Sequence, residues 1–310
     1  MKNLLSAFII LSLVACAPTK YITPPKHLPP PRKIEKVGVA LALGGGGSKG
    51  FVHLGVIEVL EENGIPIDLI VGTSAGSIIG ALYADYADSK MLKENILHIN
   101  KWDILDFSIF HSLHFFVDVR GPVQGYYLEE FLVKNMTVNN MEDLRIPFIA
   151  VASDIENDRS VPISSGPVAT AVHASSAIPP VFTPVKEYGM FLVDGGVTEP
   201  VPVATARQYN PKVLISVDIS TPGDDLPLNN MWDVTNKSLY ISYYQLSRMQ
   251  SLGADVNIHP NLNGFGMFDD SQSLKLYEIG RAEALKAMPA ILAELKKKGI
   301  KPKKNAFKLL

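Results

Sequence analysis

The sequence predicts an α/β domain with a mostly parallel central sheet and helices on both faces. Two continuous apolar runs of strand length, residues 37–43 and 67–71, are each followed by a short joint. After each joint comes a segment with apolar residues at helical spacing, residues 51–63 and 75–86. Strands and helices that alternate with short connections are typical of a parallel sheet covered on both sides.

Later segments extend this pattern. Apolar runs predict three further strands, at residues 148–153, 191–194 and 212–218. A periodic segment at residues 273–298 predicts a long closing helix. Because neither an internal repeat nor a second linker interrupts the pattern, we expect one domain over residues 37–298 and a basic tail at residues 299–310.

Residues 98–125 fit the pattern least well. The segment is rich in large apolar residues without a clean period, namely Trp102, Leu105, Phe107, Ile109, Phe110, Leu113, Phe115 and Phe116. One interpretation is a lid or a lipid-facing cap. The other is a loop or short helix that folds onto the core, since most aromatic residues of globular chains are buried.

The N-terminus has the features of a lipoprotein precursor. Lys2 precedes an apolar stretch, residues 4–15, which is shorter than the ~20 residues of a membrane-spanning helix and fits a signal-peptide core. The stretch ends in LVAC at residues 13–16, which resembles a bacterial lipobox and contains the only cysteine of the chain. We therefore expect a lipoprotein signal peptide over residues 1–15 and lipidation of Cys16. The alternative is a chance cysteine inside an ordinary signal peptide.

Residues 16–36 are predicted to be the lipidated cysteine and a proline-rich tether. The segment contains six prolines and no apolar periodicity. An extended tether of this kind reaches about 50 Å at ~3 Å per residue. Ala17 follows the cysteine where an aspartate would otherwise stand, and by resemblance to Gram-negative lipoprotein sorting this favours the outer membrane. The expected location is therefore the bacterial cell envelope.

Composition and charge narrow the function classes. The 310 residues have a formal net charge of −2, and 47% of them are hydrophobic, which suits a globular domain with a sizeable core. No basic stripe is present, so nucleic acid is not an expected partner. The single cysteine cannot form an internal disulfide.

The stretch GTSAG at residues 72–76 matches the G-x-S-x-G nucleophile elbow. In such an elbow a sharp strand-to-helix turn holds the serine hydroxyl, here that of Ser74, above the sheet edge and requires small neighbours. The predicted strand before it and the helix after it supply the context that the motif needs. The alternative is a serine that only caps the helix, with glycines that serve packing.

A second motif, GGGGSKG at residues 44–50, joins the first strand to its helix. Backbone N–H groups in such a loop point towards an anion. A Walker loop is excluded because Lys49 does not stand in the order Gly-Lys-Ser/Thr. A dinucleotide fingerprint is formally present, but Ser74 and its neighbours occupy the place of the required acidic residue. An oxyanion hole fits best, since each donor aimed at an oxyanion contributes ~3 kcal/mol.

The remaining question is which base removes the Ser74 proton. Five histidines follow no convincing strand with turn-forming neighbours, namely His98, His111, His114, His173 and His259. By contrast, residues 191–194 form a short apolar strand that ends in Asp194 and two glycines. A carboxylate about 2.6–3.2 Å from a serine hydroxyl can act as general base directly. We interpret Asp194 as this base, and a turn residue that bonds its own backbone is the alternative.

Taken together and in this order, the glycine loop, the Ser74 motif and the Asp194-Gly-Gly motif resemble the patatin-like phospholipase family. The bacterial branch related to neuropathy target esterase is the most similar. The resemblance covers residues 37–298, and Lys49 stands where the family has arginine or lysine. Further matches are residues 174–179, residues 200–202 and Gly280.

The resemblance implies a three-layer patatin-like fold and a hydrolase that acts on acyl esters of membrane lipids without a metal or another cofactor. It implies that Ser74 is the nucleophile, that Asp194 is the base, and that Gly45, Gly46 and Gly47 form the oxyanion hole. Two other functions stay open. One is an esterase or acyltransferase that acts on another acyl ester, and the other is a catalytically silent lipid-binding lipoprotein.

Overall fold

The computed structural model describes residues 26–107, 119–223 and 226–303. These residues form eight strands and eight α-helices. In chain order the elements are β1 (Val39–Leu43), α1 (Phe51–Glu62), β2 (Ile67–Thr73), α2 (Ala75–Tyr86), α3 (Ser89–Ile96), α4 (Tyr126–Asn135), β3 (Phe148–Asp154), β4 (Arg159–Ile163), α5 (Val168–Ser176), β5 (Val185–Glu187), β6 (Met190–Asp194), α6 (Val203–Arg207), β7 (Val213–Val217), α7 (Met231–Ser251), β8 (Val256–Ile258) and α8 (Ser273–Lys297).

The described strands form one mostly parallel sheet. Its central strands follow the order β3-β2-β1-β7-β8 and are all parallel to their neighbours. The strands β4 and β6 pair with β3 in the antiparallel sense, and β5 continues from β6. The predicted fold class is confirmed, and each predicted strand or helix is present with ends shifted by at most two residues.

Both faces of the sheet are buried, as the continuous apolar runs predict. In β1, Val39, Leu41 and Leu43 belong to one apolar cluster, together with residues of α1, α2 and α8. Ala40 and Ala42 belong to a second cluster on the opposite face, where residues of α6 pack. Because alternate residues of a strand point to opposite faces, this division places helices on both sides of the sheet.

Several elements were not predicted from the sequence, among them β4, β5, β8 and α7. The strands β5 and β8 have three residues each, which is too short for a clear pattern. The strand β4 contains Pro162, and a proline within a strand is tolerated at the sheet edge, where β4 lies. Large apolar side chains occur on both sides of α7, with Leu239 exposed and Tyr243 facing inward, so no single stripe marks the helix.

Only the two ends of the aromatic segment 98–125 belong to the described residues. Leu105 is buried against the core, whereas Trp102 and Phe107 are exposed. The described part of the segment therefore combines a core contact with an exposed apolar surface. Its other predicted aromatic and aliphatic positions, Ile109, Phe110, Leu113, Phe115 and Phe116, lie outside the described residues.

Cys16 also lies outside the described residues, but the end of the proline-rich segment does not. The Ser165 hydroxyl donates to the carbonyl of Pro30 at 3.0 Å, and the Arg32 amide donates to the Ser164 hydroxyl at 3.1 Å. Ile34 packs against the second apolar cluster. Residues 30–34 thus contact the domain surface. Within the described ranges, every helix is too short or too polar to cross a bilayer.

Candidate active site

Ser74 occupies the sharp turn between β2 and α2. Its backbone angles are φ 53° and ψ −123°, a region that residues other than glycine rarely adopt. The side chain is 4% exposed, and the residue caps the N-terminus of α2, where the helix dipole favours negative charge. The strained turn and its position between strand and helix are those of a nucleophile elbow.

Close packing explains why a glycine, Gly76, stands two positions after Ser74. A Cβ atom on Gly76 would lie 2.1 Å from the carbonyl oxygen of Leu43, a backbone atom of the neighbouring strand. Even alanine would therefore push α2 away from β1 and displace Ser74. The glycine of the motif serves packing and, through packing, the position of Ser74.

A second serine holds the elbow in place. The Ser74 amide donates to the Ser175 hydroxyl at 3.0 Å and to the Ser175 carbonyl at 3.1 Å. The Ser175 hydroxyl in turn donates to the carbonyl of Val151 in β3 at 2.7 Å. Ser175 thus ties the strained turn to the sheet, a role that the sequence analysis did not assign to it.

The pairing of β3 brings Asp194 beside Ser74. Residues 150–151 of β3 pair with both β2 and β4, and residues 152–154 pair with both β6 and β4. The strands β2 and β6 therefore lie end to end along the same edge of β3. Thr73 is opposite Val151, and Asp194 is opposite Ala152, the next residue. Ser74 and Asp194, which are 120 residues apart in the chain, are brought together by this register.

The Asp194 carboxylate is buried with few partners. Its Oδ1 accepts from the Gly196 amide at 2.7 Å, and Oδ2 accepts no hydrogen bond of regular geometry from the described residues. Burial raises the pKa of Asp194 from its ordinary value of 3.8 to about 6, while the nearby Ser74 hydroxyl and the Gly196 amide oppose the rise. A buried, charged carboxylate with an unused lone pair beside a serine hydroxyl can accept that hydroxyl's proton.

The glycine loop differs in one respect from the predicted oxyanion hole. The Gly45 amide donates to the carbonyl of Pro200 at 2.9 Å, so the loop's own anchoring uses this donor. Among the described residues, the amides of Gly46 and Gly47 have no acceptor. In this conformation Gly45 anchors the loop beside Ser74, and the amides of Gly46 and Gly47 are the loop donors left for an anion.

His53 holds the peptide group between Gly44 and Gly45 in place. Its Nε2 lies 2.7 Å from the Gly44 carbonyl oxygen, so Nε2 is the donor, and its Nδ1 is buried without a partner among the described residues. Burial lowers the pKa of His53 to about 4, which keeps the ring neutral. The sequence analysis missed this residue, although a lone polar residue in the apolar start of α1 was a usable indication.

Lys49 is buried behind the glycine loop. It is 1% exposed, and its Nζ donates to the Thr221 hydroxyl and to the Tyr240 hydroxyl, both at 3.0 Å. The side chain thus links the glycine loop to α7. This contact explains why a long basic residue stands at this position of the loop.

His173 and His259 are hydrogen-bonded to groups away from Ser74. The Nδ1 of His173 lies 2.7 Å from Glu129 Oε1 on α4, and the Nδ1 of His259 lies 2.9 Å from the Asp218 carbonyl oxygen. No described histidine is hydrogen-bonded to Ser74. His111 and His114 lie outside the described residues.

An apolar pocket opens at Ser74. Ser74, Gly47 and Ser176 line one part of it. The remaining wall is mostly hydrophobic and includes Ile78, Ile96, Ile104, Leu128, Phe131 and Phe182. Such a wall suits a hydrocarbon chain whose reacting end is at Ser74. In the described part of the chain, acidic, histidine and cysteine side chains form no cluster that could hold a metal ion.

Comparison with known proteins identifies the family. Residues 41–207 match the model of the patatin-like phospholipase family. The chain is 26% identical over 282 residues to the lysophospholipase NTE1 of Scheffersomyces stipitis, and 29% identical over 284 residues to that of Coccidioides immitis. These matches cover 80% of this chain but only 18% and 17% of the relatives, so the chain spans about a fifth of their length.

A solved structure shares the fold. VipD from Legionella pneumophila superimposes with a TM-score of 0.53 at 13% identity, over 89% of this chain and 72% of VipD. The family match includes the end of β1, the glycine loop, Ser74 and Asp194 and covers more than half of the sequence. The chain therefore belongs to the patatin-like phospholipase family.

Proposed function

We propose that the protein is a lipid acyl hydrolase of the phospholipase A or lysophospholipase type, with Ser74 as nucleophile and Asp194 as base. The observation that carries this proposal is the meeting of a strained serine and a buried, under-bonded carboxylate at an apolar pocket. Family membership and the lysophospholipase names of the NTE1 relatives support the choice of a lipid ester as substrate.

The proposed reaction proceeds in two steps. Asp194 takes the proton of the Ser74 hydroxyl while Oγ attacks the carbonyl carbon of the ester. The ester C–O bond then breaks, and Asp194 returns the proton to the leaving alcohol. Water attacks the resulting acyl-enzyme with Asp194 again as base, which releases the fatty acid and restores Ser74. The Gly46 and Gly47 amides stabilise the oxyanion in both steps.

We further propose that the enzyme works as a lipoprotein of the bacterial envelope, anchored in the outer membrane through Cys16. The lipobox at residues 13–16 and Ala17 support this. The exposed apolar residues Met231 and Met249 of α7 suit contact with lipid. Metabolic labelling with a radioactive fatty acid tests the anchor, and labelling that persists in Cys16→Ser would contradict it.

Fatty-acid release is the direct test of the function. We expect the full chain to release fatty acid from lysophosphatidylcholine, phosphatidylcholine or a p-nitrophenyl ester. An esterase or acyltransferase is the second candidate, and an added alcohol acceptor distinguishes it, because an acyltransferase forms the new ester in place of free acid. Tight lipid binding without any turnover would instead support the silent lipoprotein.

The pH profile is expected to report Asp194. Because the carboxyl must be charged to act as base, and burial raises the pKa of Asp194 to about 6, kcat/KM for a neutral p-nitrophenyl ester should fall about tenfold per pH unit below that value. The profile should be measured at two temperatures. A carboxyl pKa hardly moves with temperature, whereas an imidazole pKa falls on warming, so a marked fall would contradict the assignment.

The pocket is expected to select the acyl chain. Ile104 lines it and is half-buried, so Ile104→Trp should shorten the space for hydrocarbon. We expect kcat/KM for p-nitrophenyl palmitate to fall about tenfold or more relative to p-nitrophenyl butyrate, since about 0.8 kcal/mol is lost per excluded methylene. Ile155→Trp, at an exposed site away from the pocket, is the matched control. An unchanged chain preference would mean that the acyl chain binds elsewhere.

A further inference from the structure

Tyr243 is the second of three tyrosines of α7, a helix that lies across the active site. It stands outside residues 41–207, which match the family model, so family membership assigns it no role. Its neighbour Tyr240 uses its hydroxyl to bind Lys49 and Thr221. The Tyr243 side chain points instead towards Gly45 and Gly196.

The glycines around the site locate the Tyr243 side chain. A Cβ atom on Gly45 would lie 2.7 Å from the Tyr243 hydroxyl oxygen and 3.1 Å from Ser74 Cβ. The distance between the Tyr243 hydroxyl oxygen and Ser74 Cβ is therefore at most the sum of these two distances. A Cβ atom on Gly196 would lie 2.6 Å from Tyr243 Cε2 and 2.9 Å from Asp194 Oδ1. The ring therefore covers the loop after Asp194, and its hydroxyl reaches the glycine loop.

The Tyr243 hydroxyl is an unused donor. No described residue is hydrogen-bonded to it, and the nearby Asp194 Oδ2 is buried without a partner among the described residues. Burial, with the nearby charge of Asp194, raises the pKa of Tyr243 well above its ordinary value of 10, so the hydroxyl keeps its proton. A phenol that stays protonated can donate to an anionic oxygen.

We propose that Tyr243 is a catalytic residue that donates a hydrogen bond to the oxyanion formed at Ser74. This inference rests on the proposed acyl hydrolase function. The Gly45 amide is occupied by Pro200, which leaves two backbone donors in the loop. The Tyr243 hydroxyl lies beside Gly45 on the side of Ser74, where it supplies a third. The anionic oxygen of a lipid headgroup could also accept a hydrogen bond from Tyr243. Comparing substrates with and without a headgroup distinguishes a contact with the oxyanion from a contact with the headgroup.

Tyr243→Phe removes only the hydroxyl and keeps the ring over Gly196. Because removal of one oxyanion donor costs about 10²–10³ in kcat in a well-studied protease, we expect a 10- to 100-fold fall in kcat here, with KM within about threefold. The fall should be equal for p-nitrophenyl butyrate, which has no headgroup, and for lysophosphatidylcholine. Tyr244→Phe, the adjacent tyrosine of α7, is the matched control and should keep the parental activity.

A transition-state analogue separates catalysis from folding. An alkyl trifluoromethyl ketone adds to the serine and forms an oxyanion, so its inhibition constant should rise in Tyr243→Phe by the same factor as kcat falls. Equal kcat and inhibition constants in parent and Tyr243→Phe would overturn this inference alone. A loss confined to lysophosphatidylcholine would overturn it in favour of a headgroup contact. A parent without esterase activity would overturn both this inference and the proposed function.

Discussion

Replacement of Ser74 by alanine is expected to lower kcat by about four to six orders of magnitude, because the proposed acyl-enzyme forms on the Ser74 hydroxyl, which alanine lacks. Alanine experiences the same backbone strain at φ 53° as serine, so the free energy of unfolding should change by less than about 1 kcal/mol. Fatty-acid release and thermal unfolding of the parent and Ser74→Ala measure the two effects.

The matched control for Ser74→Ala is Ser238→Ala. Ser238 is exposed on α7, and its hydroxyl bonds only the Val234 carbonyl of its own helix. It should keep the parental activity. Turnover by Ser74→Ala within tenfold of the parent would show that another residue is the nucleophile.

Asp194→Asn is expected to lower kcat by about three to four orders of magnitude, because an amide cannot take the serine proton. The same change should make the fold more stable. Burial raises the pKa of Asp194 from 3.8 to about 6, so its charge reduces stability increasingly as pH rises through this window, and the full cost remains above it. At pH 8 the gain in unfolding free energy should be on the order of 1–3 kcal/mol.

Asp158→Asn is the control for this pair of effects. Asp158 is exposed in the turn after β3, with φ 53°, a conformation that asparagine also adopts. It should change neither activity nor the pH dependence of stability. Activity that survives in Asp194→Asn would mean that a histidine is the base, and an unchanged stability would mean that the carboxyl is already neutral at pH 8.

The parts of this site that sequence could predict are those that depend on neighbouring residues. Ser74 lies between a strand and a helix that are each visible as local patterns, and Asp194 ends a short apolar strand before two glycines. Their approach could not be predicted from these patterns alone. It depends on the register of β2 and β6 along one edge of β3, which only long-range pairing determines.

The anchoring contact of Gly45 could not be predicted for the same reason. A glycine-rich loop indicates free amides, but the acceptor for this amide, Pro200, is far along the chain and reaches the loop only in the folded sheet. Tyr243 is a similar case, because α7 has apolar side chains on both sides and no pattern separates the face that covers the site. Local sequence thus locates the reacting groups, and tertiary contacts decide which donors surround them.

Covalent labelling tests the Ser74–Asp194 pair most directly. The full chain should be treated with an alkyl fluorophosphonate, and the modified residue and the labelling rate should be measured by mass spectrometry in the parent and in Asp194→Asn. The pair predicts one adduct, on Ser74, that forms at least about 100-fold more slowly in Asp194→Asn, because the serine loses its base. An adduct on another residue, or equal labelling rates in the two proteins, would contradict the Ser-Asp mechanism.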